Sequence, residues 1–184
     1  MVTIRTSNYA WSRRHFIAAG AGVAFSGAPA LANTARRRTR TLSLYCLHTG
    51  ERIRRTYRID GSYCPSALTD INTLLRDFRA DETRNIDISL LDFLSDLHAV
   101  MNSDQPFHVI SGYRSPKTNA MLAQKSGGVT KRSFHMKGMA IDVRLPGHHL
   151  AALREAAINL RLGGVGYYRK SDFLHLDTGR IRFW

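Results

Sequence analysis

Hydrophobic and polar residues first alternate along two neighbouring runs, residues 41–47 and 52–59. A period of two is typical of a strand with one buried face. Between the runs, residues 48–51 include Thr and Gly, which favour a turn. We therefore predict a β-hairpin at the start of the folded part of the chain.

Three later stretches have apolar residues spaced by three and four, the period of an amphipathic helix. They begin near residues 65, 89 and 149, and their apolar positions are Leu68, Ile71, Leu74, Leu75 and Phe78, then Leu90, Leu91, Phe93, Leu94, Leu97 and Val100, then Leu150, Leu153, Ala157 and Leu160. A further helix is predicted to begin at Ser115-Pro116 and to run to about residue 124. His98 is interpreted as a helix-surface residue.

Shorter apolar runs between turn residues predict strands at 107–110, 138–145, 163–168 and 173–177. The tail, residues 178–184, is predicted to pack back on the body through Ile181, Phe183 and Trp184. Together these elements indicate an α+β domain, with helices packed on a small, mainly antiparallel sheet.

The first 32 residues are predicted to be an export signal. Arg13-Arg14 precede a mildly apolar stretch, and Ala30-Leu31-Ala32 gives the small-x-small pattern of a cleavage site. The paired arginines resemble a twin-arginine signal; an uncleaved N-terminal anchor is the alternative. Residues 33–40 are interpreted as a basic linker, and residues 41–184 as one domain.

Composition and charge narrow the classes of function. The 184 residues are 43% hydrophobic and 22% charged, and we expect no stable membrane span after signal cleavage. The net charge is +13, and residues 33–184 carry 24 basic against 14 acidic residues, a net +10. Such a surface favours polyanions, among them nucleic acid, anionic wall polymer or lipid headgroups. No recognisable nucleic-acid motif is present, and an export signal argues against that partner.

The two cysteines, Cys46 and Cys64, leave two interpretations open. A pair in an exported protein can form one disulfide bond. Both lie in apolar or strand-like sequence, where a free cysteine is commonly a small buried hydrophobe.

Two predicted strands carry polar residues on one face and apolar residues on the other. In residues 138–145, Asp142 lies opposite the apolar face, and in residues 173–177 both His175 and Asp177 do so. If the two strands are neighbours, Asp142 and His175 converge, and a turn can bring His135 towards them. Such residues can be ordinary surface or core polar groups. Two imidazoles and one carboxylate are also the open ligand set of a catalytic zinc ion, with a fourth position left for water.

The motif Ser133-x-His135-x-x-Gly138-x-Ala140-x-Asp142, with His175 downstream, favours the second interpretation. It resembles the signature of the zinc peptidases that include D-alanyl-D-alanine carboxypeptidases and dipeptidases, lysostaphin-type endopeptidases and the hedgehog fold. Similarity to the murein endopeptidase K family is closer, because it extends to residues 47–51, 111–115, 163–168 and 175–179.

This resemblance implies a hedgehog or D-Ala-D-Ala-peptidase-like α+β fold and a zinc ion bound by His135, Asp142 and His175. It further implies hydrolysis of peptide cross-links in peptidoglycan, at bonds to meso-diaminopimelate, in the periplasm. A wall-binding module that holds zinc without catalysis and a D,D- or L,D-carboxypeptidase remain alternatives. The oligomeric state is left open.

The resemblance also implies roles for three further residues. Relatives commonly have an acid three residues before the last histidine ligand, and Asp172 occupies that position as a candidate general base. In an ideal strand Asp172 would point away from His175, so this role requires a bend near residue 172. Asp177 is the competing acid, or else an orienter of a histidine ligand. Arg114 matches the arginine that faces the substrate carbonyl or carboxylate.

Overall fold

A computed structural model of the protein describes residues 39–125, 130 and 132–184. The predicted export signal, most of the basic linker and the predicted loop at 126–129 lie outside the described residues. Cys46 and Cys64 are separate free thiols in the structure. None of the helices within the described residues is both long and apolar enough to cross a membrane.

The elements follow the predicted order closely. The strands are β1 (Thr39–Cys46), β2 (Arg52–Ile59), β3 (Ser62–Tyr63), β4 (Phe107–Ser111), β5 (Ala140–Arg144), β6 (Gly164–Tyr168), β7 (Phe173–Asp177) and β8 (Arg182–Phe183). The helices are α1 (Pro65–Leu74), α2 (Ile88–Met101), α3 (Pro116–Lys125) and α4 (Leu150–Leu160), with short 3₁₀ helices at Phe134–Lys137 and Arg169–Ser171. β3 and β8 were not predicted, because strands of two residues carry no periodic signal.

The strands form one mixed sheet in the order β3-β2-β1-β4-β5-β7-β6-β8. Neighbours pair antiparallel, except that β1 pairs with β4 and β6 pairs with β8 in parallel. The prediction of an α+β domain with a mainly antiparallel sheet is confirmed, although the sheet is larger than expected.

The hydrophobic core lies on one face of this sheet, beneath the helices. Leu44, Phe107 and Val143 on the strands are fully buried, as are Leu90 and Leu94 on α2. α2 begins where the Asp87 carboxylate accepts a hydrogen bond from the Ser89 N–H group. With α1, α2 and α4 packed on the sheet, side chains on the face of β5 and β7 opposite the core are free to form a site.

The tail packs back on the sheet, as predicted, but its apolar side chains stay partly in solvent. Ile181, Phe183 and Trp184 remain 47%, 55% and 49% exposed, so they do not pack into the core. The tail joins the sheet through its backbone: the Trp184 N–H group donates to the Val165 oxygen, and the Tyr167 N–H group donates to the Trp184 oxygen. The Trp184 ring also lies against His175.

Candidate metal centre

The predicted convergence of Asp142 and His175 is found. β5 and β7 are adjacent and antiparallel, and Asp142 pairs directly with His175 across them. Both side chains therefore lie on the sheet face opposite the apolar residues of β5 and β7.

His135 reaches the same place from the 3₁₀ helix that precedes β5. The Ser133 hydroxyl accepts a hydrogen bond from the His135 N–H group at 3.3 Å and begins this helix. Gly138 ends it with a φ of +69°, a conformation that favours glycine. A Cβ atom there would lie 2.5 Å from the Asn85 oxygen, so the turn also depends on the missing side chain.

Three potential ligand atoms lie at spacings that fit a metal ion. His135 Nε2 is 3.2 Å from His175 Nδ1 and 3.3 Å from Asp142 Oδ1, and the last two atoms are 2.9 Å apart. Zinc–ligand bonds of about 2.0–2.2 Å place two tetrahedral ligands about 3.3–3.6 Å apart. The 3.3 Å spacing matches this range, whereas the 3.2 and 2.9 Å spacings are shorter, so His175 must move slightly away from His135 and Asp142 for the three atoms to share a metal ion.

The remaining nitrogen of each imidazole has a partner that fixes the ring. His135 Nδ1 lies 2.7 Å from the Gly112 carbonyl oxygen, and His175 Nε2 lies 3.1 Å from Asp177 Oδ2. Both partners are acceptors, so these two nitrogens carry ring protons. His175 Nδ1 also lies 2.9 Å from the acceptor Asp142 Oδ1, so binding a metal ion at this nitrogen releases a proton.

Asp177 is completely buried and has no free oxygen. Its carboxylate accepts hydrogen bonds from Arg182 at 2.9 and 2.7 Å and from the Gly179 N–H group at 2.8 Å, besides that from His175. Gly164 makes room for it, because a Cβ atom there would lie 2.5 Å from Asp177 Oδ2. This environment suits a residue that orients His175, and it leaves no oxygen to take a proton from water.

The charges of these groups depend on one another. Burial by itself would raise the pKa of Asp142, but the charge and hydrogen bonds of His135 and His175 bring it well below its usual range. Burial would lower the pKa of His175, yet its hydrogen bonds to Asp142 and Asp177 raise it to about 9. The site thus stabilises positive charge between its two carboxylates.

Arg114 lies beside the candidate ligands and is almost buried. Its Nη2 atom is 3.4 Å from Asp142 Oδ2 and 3.1 Å from the Ser111 hydroxyl. Its backbone N–H group donates to the His135 oxygen at 3.2 Å. Asp77, itself buried, accepts the N–H group of Ser115 at 2.9 Å and so fixes the backbone just after Arg114.

Asp172 is set apart from the other predicted residues. It has a φ of +52° at the end of the second 3₁₀ helix, so the bend that its predicted role requires is present. Its side chain is 63% exposed, and its Oδ2 atom accepts a hydrogen bond from Arg144 Nη1 at 2.9 Å. Arg144 lies two residues after Asp142 on the same strand face. The structure therefore brings His135, Asp142, His175, Asp177 and Arg114 together, whereas Asp172 pairs with Arg144 instead.

Three residues that build this site were not predicted to belong to it: Asp77, Arg182 and Trp184. Asp77 lies beside Phe78 at the end of the first predicted helix, where a single acidic residue is usually exposed to solvent, so its sequence position did not indicate a buried role. Arg182 and Trp184 are two residues apart in the tail, which in a strand places both side chains on one face. This period-two pattern is a signal for a strand, but it spans too few residues to predict one.

The chain matches known proteins over nearly its whole length. Residues 34–184 match the sequence model of an M15-type peptidase family described as peptidoglycan L,D-endopeptidase MepK. The peptidoglycan L,D-endopeptidase MepK of Escherichia coli strain K12 is 42% identical over 177 residues, which cover 94% of this chain and 97% of that protein. A probable peptidoglycan L,D-endopeptidase MepK of Haemophilus influenzae is 37% identical over 155 residues, covering 84% of this chain and 83% of that protein.

Proposed function

We propose a function from one premise: the chain belongs to the peptidoglycan L,D-endopeptidase MepK family of peptidases. On this premise the protein is an endopeptidase that hydrolyses peptide cross-links of peptidoglycan, at bonds to meso-diaminopimelate. Its fold is then of the hedgehog or D-Ala-D-Ala-peptidase type.

We propose that His135, Asp142 and His175 hold a zinc ion. The observation that carries this proposal is the triangle of donor atoms at 2.9–3.3 Å, with an orienting partner on each imidazole. A zinc ion with an open position polarises a carbonyl group and lowers the pKa of water from about 15.7 towards 7.

The remaining residues have separate tasks in this hydrolysis. Arg114 presents a fixed cation beside the ligand set, where it can stabilise negative charge on the scissile carbonyl oxygen or bind a substrate carboxylate. Asp172 is the proposed general base: it takes a proton from water on a carboxylate oxygen and passes it to the leaving amine. For this, its side chain leaves Arg144 and turns along the sheet face towards Asp142. Asp177 keeps the His175 ring in place.

The test is digestion of cross-linked muropeptides by the purified protein, with and without a chelator, and identification of the cleaved bond by mass spectrometry. We expect cleavage within the cross-link, loss of activity with chelator and recovery with zinc. His135→Ala, Asp142→Ala and His175→Ala should each lose bound metal in elemental analysis as well as activity.

Other outcomes would identify the alternatives. Metal binding without any cleavage would identify a wall-binding module, and release of a terminal residue alone would identify a carboxypeptidase. A folded wild-type protein that binds no divalent metal would contradict the proposed centre.

We also propose that the protein acts in the periplasm after export by the twin-arginine route. This rests on the sequence of residues 1–32 and on the location of peptidoglycan outside the cytoplasmic membrane. Replacing Arg13 and Arg14 by Lys should leave the protein in the cytoplasmic fraction, and unchanged export would contradict the twin-arginine route.

A further inference from the structure

A cavity of about 480 Å³ opens beside the candidate metal ligands. Part of its wall is aromatic, formed by Phe134, Tyr168, Phe173 and Trp184. Of these, Trp184 is the residue with a large apolar side chain half in solvent, at 49% exposure. An indole left in water next to a catalytic centre is free to contact a substrate.

The Trp184 side chain contacts three neighbouring residues, which restrict its rotation. Its ring centroid lies 5.6 Å from that of His175 and 4.9 Å from the Arg182 guanidinium carbon, and its Nε1–H group is 3.4 Å from the Tyr168 hydroxyl. Two backbone hydrogen bonds to β6 fix its main chain. A side chain that is both exposed and immobilised loses little conformational entropy when a ligand covers it.

β6 leaves space for this indole. Gly166 pairs directly with His175, and a Cβ atom at Gly166 would lie 2.6 Å from Cζ2 of Trp184. The space that a side chain at Gly166 would fill is thus occupied by the Trp184 ring from the tail. Phe183 is similarly exposed, but it is the adjacent residue along the strand and does not line the cavity.

We propose that Trp184 forms a substrate subsite that binds the aliphatic side chain of the peptide residue beside the scissile bond. This inference rests on the proposed function. Linear methylene groups packed on the exposed indole face would remove apolar surface from water on both partners. Arg114, which also lines the cavity, can meet the carboxylate of the same residue.

A peptide ligand fits this place better than a sugar ring does. Aromatic rings also stack on sugars, but the glycan is attached at the far end of the stem peptide. The Trp184 ring lies 5.6 Å from His175, where the bond to be cleaved must be bound.

The first experiment compares Trp184→Ala, Trp184→Phe and the matched control Phe183→Ala on a cross-linked peptide without sugars. Trp184→Ala should lower kcat/KM about 10- to 100-fold, mainly through a higher KM, with bound metal unchanged. Trp184→Phe should stay within about threefold and Phe183→Ala within about twofold of the wild type, because the first keeps an aromatic face and the second lies outside the cavity.

Gly166→Ala gives an independent variant that leaves Trp184 in the sequence. Its new methyl group would displace the indole, so its loss of kcat/KM should be similar to that of Trp184→Ala. Combined with Trp184→Ala, it should add less than about twofold, because the group that it displaces is gone.

A second readout does not need catalysis. Trp11 and Trp184 are the two tryptophans of the chain. In a full-length Trp11→Phe protein without metal, adding the peptide should shift the fluorescence of Trp184 saturably, whereas disaccharide alone should not.

Three results would overturn the subsite. They are equal kinetics for Trp184→Ala and Phe183→Ala, a loss seen only on sugar-bearing substrate, or an unchanged Trp184 fluorescence at saturating peptide. Loss of metal in Trp184→Ala would show a structural role instead, which also overturns it. The proposed function is judged separately, by cleavage with the wild-type protein.

Discussion

Replacing Asp177 by Asn tests whether a buried carboxylate orients a metal ligand. The change keeps the size of the side chain but removes its charge. The carboxylate accepts two hydrogen bonds from Arg182, one from the Gly179 N–H group and one from His175. An amide has one acceptor oxygen, so its NH₂ group would face a donor.

The structure sets the size of the expected effect. Removing one partner of a buried ion pair costs about 3–5 kcal/mol. Arg182 is 28% exposed and can regain some water contact, so we expect the lower end, about 3 kcal/mol of unfolding free energy in the metal-free protein. Loss of an outer partner of a ligand histidine typically lowers metal affinity about 10- to 100-fold.

Two measurements check this prediction: urea unfolding of the metal-free protein, and a metal competition titration against a chromophoric chelator. Asp70→Asn is the matched control, because Asp70 pairs with Arg55 at 2.6 Å while both side chains are nearly half exposed. Such a surface pair contributes about 0–1 kcal/mol. The reasoning is refuted if Asp177→Asn is no more destabilising than Asp70→Asn, or if its zinc affinity stays within about threefold of the wild type.

Three further predictions concern other parts of the site. Asp172→Asn should lower kcat about 10²- to 10⁴-fold while elemental analysis finds the metal content unchanged; a loss below tenfold would exclude it as the base. Gly138→Ala should lower the unfolding free energy in urea clearly more than Gly147→Ala, because both have a positive φ but a Cβ atom meets a backbone oxygen only at Gly138; equal losses would contradict this. Burial alone would raise the pKa of Asp77, but hydrogen bonds from Thr118, Ser115 and the Arg79 N–H group hold it below the ordinary value. The ionised Asp77 therefore stabilises the fold above about pH 4, and this contribution is lost as the pH falls further. Urea titrations from pH 6 to 3 should show a flatter dependence in Asp77→Asn, and identical slopes would contradict that assignment.

Local sequence patterns predicted the part of the site that lies on two strands. The alternation in residues 138–145 and 173–177 predicted that Asp142, His175 and Asp177 lie on one face of their strands. Antiparallel pairing of these two strands then brings Asp142 next to His175. The period of the helices likewise predicted which residues of α2 are buried. In both cases the determining interactions are close in sequence or follow from one strand pairing.

Residues whose role depends on distant pairing could not be found in this way. Arg182 reaches Asp177 because β8 joins β6 in parallel, and two residues give no periodic signal for such a pairing. The Arg144–Asp172 ion pair likewise depends on how the end of β5 meets the turn before β7. The sequence could place Asp172 near the last ligand but could not show that its carboxylate turns to Arg144.

Because β6 has glycines at positions 164 and 166, the site depends on three strands, β5, β7 and β6, rather than on β5 and β7 alone. Gly164 and Gly166 carry no side chains of their own over β7, and the space is filled from the far side by Arg182 and Trp184. A designer who grafts this centre onto another scaffold would therefore have to transplant β7, β6 and the tail as one block. A graft of the three candidate ligands alone would leave His175 without the support that reaches it across the glycine strand.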